Sequence, residues 1–137
     1  MHRFLVAVLA AAPFILTAGT CGSVIRGHVP ENWVPGPQGN WVRDFGDLQI
    51  EAGPLVRREG SSMHLKITNL GAQPVDVLGA ELQAGATREA KETKDVRIAA
   101  AGNTALDLSF ERIVHERRAA VVVKFSTGEL RIDLWEP

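Results

Sequence analysis

The chain has 137 residues, 45% hydrophobic and 23% charged, with 15 basic and 16 acidic side chains. That is the composition of one globular domain, with no room for two. It lacks the basic excess that a nucleic-acid-binding stripe requires, so no nucleic-acid partner is expected, and its one cysteine, Cys21, excludes a disulfide within the monomer.

Met1-His2-Arg3 is a short basic start, followed by an apolar run from Phe4 to Thr17 and then the small residues Ala18-Gly19-Thr20. This is the layout of a signal peptide, expected over residues 1–21. The run is shorter than the roughly 20 residues that span a bilayer and is interrupted by Pro13, which argues against a permanent membrane helix. Leu16-Thr17-Ala18-Gly19-Thr20-Cys21 resembles a bacterial lipobox, with Thr20 and Ala18 where Gly or Ala and Leu are usual. The resemblance implies lipidation of Cys21 and attachment to a membrane. The competing reading is cleavage after Gly19, which would leave an unpaired thiol in an oxidising compartment. Without Arg3, 14 basic residues stand against 16 acidic ones, a formal charge of −2 on the exported part.

Residues 22–46 contain Pro30, Pro35 and Pro37 among several glycines, a composition that opposes a helix or a regular strand and predicts an extended leader. Asn32-Trp33-Val34 recurs there as Asn40-Trp41-Val42. A β-domain is expected over 47–137. Leu48, Ile50 and Ala52 alternate with polar residues in a first strand, residues 56–61 form a charged turn, and Met63, Leu65 and Ile67 line a second strand whose outer face carries His64 and Lys66. Residues 69–74 are a turn. Val75 and Val77 then point inward while Leu78, Ala80 and Leu82 fall in the opposite phase, so either a bulge near Leu78-Gly79 realigns them or the strand is buried on both faces. Residues 83–95 are polar and read as a loop or short surface helix. Val96 and Ile98 make a short fourth strand, and Leu106, Leu108 and Phe110 a fifth.

Residues 111–118 connect to a closing hairpin. Val121, Val123 and Phe125 lie two apart, as do Leu130, Ile132 and Leu134, so each set lines one strand face. Facing both sets inward requires an even loop, either Thr127-Gly128 or residues 126–129, with Phe125 opposite Leu130 and Val123 opposite Ile132. Val122, apolar on the second face, marks this strand as central.

Seven short strands at near-regular spacing predict an all-β, immunoglobulin-like antiparallel β-sandwich behind an N-terminal signal segment. The stretch Ile67-Thr68-Asn69-Leu70-Gly71-Ala72-Gln73-Pro74-Val75, with the Ala101-Gly102 turn and the strand to Phe110, resembles small exported bacterial immunoglobulin-like or fibronectin-type domains over about residues 47–134. The resemblance implies the fold and no particular function. Paired cysteines, a mid-strand Trp and any Tyr for a tyrosine corner are lacking.

The chain has no Gly-x-Ser-x-Gly, Gly-x-Gly-x-x-Gly, Gly-x-x-x-x-Gly-Lys, Cys-x-x-Cys or His-Glu-x-x-His motif, so neither an enzyme nor a cofactor is expected. His28, His64 and His115 read as surface histidines rather than a metal set. The densest charge cluster is 111–118, where Arg112, Arg117 and Arg118 are candidate partner contacts against the plainer reading of a solvated connector with internal Glu–Arg pairs. Trp33 and Trp41 either fold back over the sandwich or serve a partner, since Trp is a frequent hot-spot residue. The expected role is a non-catalytic accessory or interaction module of the bacterial cell envelope, periplasmic or membrane-anchored, that meets an envelope protein through the tryptophan leader or a free sheet edge. The alternative is a small-ligand or metal-binding periplasmic carrier using His64 or His115.

Overall fold

The structure, a computed structural model, describes residues 32–136 and the backbone of Ser23–Ile25. Cys21, the signal layout and His28 lie outside the described residues. Eleven strand segments are found among the described residues: β1 (Ser23–Ile25), β2 (Val34–Pro35), β3 (Trp41–Phe45), β4 (Leu48–Ala52), β5 (Leu55–Arg57), β6 (Ser61–Asn69), β7 (Val75–Ala84), β8 (Thr87–Ile98), β9 (Asn103–Phe110), β10 (Arg118–Phe125) and β11 (Gly128–Trp135). They form two antiparallel sheets packed as a sandwich, which is the expected all-β architecture with more segments than the seven expected.

The first sheet is ordered β1-β5-β6-β4-β3-β2, with β9 on the other side of β6. β4 and β5 share one flank of β6 because Gly53-Pro54 interrupts them: Pro54 has no N–H to give, and the Gly53 N–H reaches His64 O at 3.0 Å instead. The second sheet is ordered β11-β10-β7-β8. Period-two alternation buries Met63, Leu65 and Ile67 from one sheet against Val121, Val123, Leu130 and Ile132 from the other, each 2% exposed or less.

Three expectations about the elements are corrected. The leader is not an extended tether up to Gly46: Trp41–Phe45 is a strand paired with β4, and Val34–Pro35 adds to it. The two prolines before β3 leave it free to pair, because Pro35 sits at the sheet edge and Pro37 in the 3-10 turn Pro37–Gly39. The charged turn after β4 is shorter than expected, since Leu55–Arg57 is strand. Residues 83–95 are neither loop nor helix. Gly85-Ala86 is a two-residue hairpin, Gly85 supplies φ +60, and β8 follows as a twelve-residue edge strand, polar because only one of its sides is covered.

The closing hairpin keeps its parity and shifts its register by two. Phe125 faces Gly128, Val123 faces Leu130 and Val121 faces Ile132 across the loop Ser126-Thr127. Two causes are visible. The Ser126 N–H and hydroxyl are claimed by Asp76 of β7, at 2.9 and 3.0 Å, and Gly128 takes φ +148, a conformation open to glycine alone. Phe45 packs on Phe125, with ring centroids 5.9 Å apart, and its ring edge lies at van der Waals distance, 3.6 Å, from where a Cβ at 128 would stand. β10 is central, between β11 and β7, as Val122 indicated.

The bulge in β7 is present. Pairing with both neighbours shifts between Val77 and Gly79: Leu78 is the extra residue against β10, whereas against β8 it stands opposite Thr93, Lys94 and Asp95, and it is 55% exposed rather than inward with Ala80 and Leu82.

Candidate interaction surface

Residues 111–117 carry the chain from β9 in the first sheet to β10 in the second without regular structure, so their backbone groups need partners from elsewhere. β6 supplies Ser61, which is buried; its hydroxyl donates to Arg112 O at 2.7 Å and accepts from the Val114 N–H at 3.1 Å. β8 supplies Glu89, whose carboxylate accepts from the N–H groups of Glu111 and Arg112 at 2.7 and 3.0 Å. β5 supplies Arg57, which donates to Val114 O at 3.3 Å and pairs with Glu136. The Val114 side chain is fully buried, and the Glu136 N–H donates to Arg117 O at 2.7 Å. Both sheets and the C-terminal segment therefore hold this crossing in one conformation.

Inside the crossing, Glu116 accepts from Arg112 Nη2 at 3.0 Å and from the His115 N–H at 3.1 Å. Its carboxyl is held below the ordinary value of 4.5, chiefly by its own backbone N–H, then by that of His115 and by the nearby Arg112 charge, with desolvation working the other way. A carboxyl with a lowered folded pKa stabilises the fold above the unfolded value and loses that contribution as pH falls through the folded one. Glu116→Gln is therefore expected to speed hydrogen exchange at the His115 amide at neutral pH. The difference from wild type should shrink below pH 4.5 and vanish in stronger acid; an unchanged difference there would sink the assignment.

Of the five residues singled out by sequence as partner contacts, the structure leaves two in that position. Trp33 and Trp41 are 5% and 6% exposed and belong to the core, so neither indole meets a partner without opening the fold. Arg112 is half-buried and paired with Glu116, which makes it part of the internal framework. Arg117 and Arg118 are exposed. The Arg118 guanidinium lies over the Trp135 ring, 5.7 Å from its centroid, in the cross-strand pair that opens β10 and ends β11. His115 is exposed on the same crossing. Sequence reasoning missed Ser61, Glu89 and Trp135. The first was legible as a polar residue in phase with Met63, Leu65 and Ile67; Glu89 was hidden by the reading of 83–95 as a loop.

Ser61→Ala removes an acceptor and a donor from a buried turn and is expected to cost about 1–3 kcal/mol in urea denaturation. A loss under about 0.5 kcal/mol would mean that water replaces the hydroxyl.

His64 lies on the outer face of β6, where its Nδ1 meets Asp107 of β9. Among the described residues no three His, Cys, Asp or Glu side chains converge. Among the solvent-open depressions of the described residues, two lie near the candidate contacts of the second sheet and the β5–β6 turn. One of about 390 Å³ on the outer face of the second sheet is lined by Glu81, Gln83, Arg88, Val122, Lys124, Glu129 and Arg131. The other, about 730 Å³, lies over the β5–β6 turn and the end of β9. No protein-family model matches the chain, and no curated protein matches it.

Proposed function

We propose that this chain is a non-catalytic interaction module of the bacterial cell envelope, exported and held at the membrane through Cys21, which engages an envelope protein with the Arg117, Arg118 and Trp135 surface. The observation that carries the reading is the crossing at 111–117. Hydrogen bonds from β5, β6 and β8 fix its backbone, while the two cations that end it face outward beside an aromatic ring. A rigid scaffold presenting a fixed loop is a common basis for recognition. Arg and Trp are also the side chains that most often dominate binding energy.

The immunoglobulin-like assignment belongs to the same proposal. It is supported by the wiring: β6 to β7, β8 to β9 and β9 to β10 each cross between sheets, and the second sheet has the order β11-β10-β7-β8. Crossings of this Greek-key kind join the sheets of immunoglobulin and fibronectin-type sandwiches.

The test compares the full chain with Arg117→Glu/Arg118→Glu in the bacterial host, by in-cell cross-linking followed by mass spectrometry of membrane and soluble fractions. An acylated Cys21 and an envelope protein linked to wild type but not to the variant are expected. Identical cross-links in both, or a soluble chain linked to nothing, would overturn the reading.

A further inference from the structure

We propose that the free edge of β8 is a self-recognition surface, through which two copies of the chain pair antiparallel about a two-fold axis at Ala90 and join their four-stranded sheets into one of eight strands. The proposal stands apart from the envelope reading and uses different residues.

Among the described residues, β8 has β7 on one side and no strand on the other. The two-residue hairpin sets which backbone groups are unpaired. Ala84 and Thr87 close the loop, and in such a hairpin the closing pair is hydrogen-bonded. Alternation then turns the N–H and C=O groups of Thr87, Glu89 and Lys91 toward β7 and those of Arg88, Ala90 and Glu92 toward the open side. A second copy of β8 centred on Ala90 meets those three residues in hydrogen-bonding positions, with Arg88 opposite Glu92, Ala90 opposite Ala90 and Glu92 opposite Arg88.

The side chains agree with this register on both faces. Along Arg88-Glu89-Ala90-Lys91-Glu92 the charges run plus, minus, none, plus, minus. Read against its own reverse, every charge meets its opposite: Arg88 faces Glu92 of the second copy on the outer face, and Glu89 faces Lys91 on the other. Arg88 and Glu92 are exposed, and the nearest acid to Arg88 is Glu81 at 3.9 Å, too loose to compete. Glu89 keeps the Glu111 and Arg112 N–H groups, and Lys91 keeps its bond to Ser109 O at 2.8 Å, so the inner pairs add to contacts already made.

Other registers fail. A two-residue shift opposes Glu89 to Glu89 or Lys91 to Lys91, and a one-residue slip opposes Arg88 to Lys91 or Glu89 to Glu92 while turning the faces over. Mixed charge on an edge strand ordinarily blocks pairing; here it blocks every nearby register but one. The contact ends at Thr93, where the pairing of β8 with β7 is interrupted over residues 93–95 and Asp95 takes φ +51. Seven residue pairs bury less than a standard stable interface of about 1,200 Å², so the dimer is a weak, concentration-dependent one.

Sedimentation velocity on the full chain tests this, as a concentration series up to about 1 mM, the range of weak complexes. Wild type is expected to pass from monomer to dimer. Arg88→Glu and Glu92→Arg alone should each weaken dimerisation about tenfold or more, by opposing like charges twice. Their equimolar mixture should restore it as a heterodimer, because each copy then carries a single sign. Ala90→Pro should abolish pairing without unfolding the chain, since an edge strand tolerates proline where its N–H faces solvent. A wild type that stays monomeric throughout, single variants that dimerise like wild type, a mixture that fails to recover, or a folded Ala90→Pro chain that still dimerises would each overturn the proposal.

Discussion

Asn69→Leu is expected to lower the stability of the fold by about 3 kcal/mol, measured by urea denaturation as a lower midpoint with an unchanged slope. Asn69 is fully buried at the end of β6, one of two buried polar residues among those described. Its amide donates to Gln73 O at 2.7 Å and to Ile98 O at 3.1 Å, and its carbonyl accepts from the Gly71 N–H at 2.9 Å. Its own N–H donates to Gly102 O, and the next residue, Leu70, donates to Asp47 O. One side chain therefore ties the 69–74 turn to the end of β8, in a region where the backbone already binds two further loops. Leucine has similar volume, so the loss isolates the hydrogen bonds: three backbone groups lose their partner, and part of each cost of about 1–3 kcal/mol is recovered where water can enter. Asn69→Asp is the sharper variant. It retains the acceptor for Gly71 but turns a carboxylate toward two carbonyl oxygens, and it should be at least as destabilising as leucine at neutral pH. An aspartate variant as stable as wild type would mean that the turn can re-form without this residue.

Asn69 also shows what kind of information the sequence held. The inward phase of β6 was legible from Met63, Leu65 and Ile67, and carried on in both directions it lands on Ser61 and Asn69, the two buried polar residues among those described. The local reading gave Asn69 a turn role, whereas its contribution is a side-chain network whose partners lie up to 29 residues away. Periodicity reports which face a residue occupies; it does not report what that residue bonds to.

The same division runs through the hairpins. The alternation of Val121, Val123 and Phe125 with Leu130, Ile132 and Leu134 fixed the parity of the last one, because a one-residue error would bury charge. The remaining two-residue ambiguity was resolved by Asp76, which holds Ser126 from elsewhere in the chain. β8 was invisible for the opposite reason. An edge strand covered on one side needs few apolar residues, and Thr87 to Arg97 has only Ala90 and Val96 among polar neighbours, a pattern shared with loops. Of the candidate contacts, Arg117 and Arg118 were found by charge density alone. Trp135 beside Arg118 needed the register of β10 on β11.

Trp41→Ala is expected to cost about 3–5 kcal/mol, the range for truncating a buried aromatic. The ring is 6% exposed, in a strand whose five residues all pair with β4, so its loss should appear in the global unfolding of the sandwich. A tryptophan kept for a partner would behave differently, with unchanged stability and lost binding. Val34→Ala is the control: 58% exposed in the neighbouring β2, it should move stability by no more than about 0.5 kcal/mol. Hydrogen exchange on Trp41→Ala then decides how far the fold extends. Loss of protection throughout β4 and β6 would make β3 part of the cooperative core. Loss confined to residues 32–45, with the denaturation midpoint unmoved, would make the N-terminal strands a separable cover on a sandwich that begins near residue 47, where the alternation in the sequence starts.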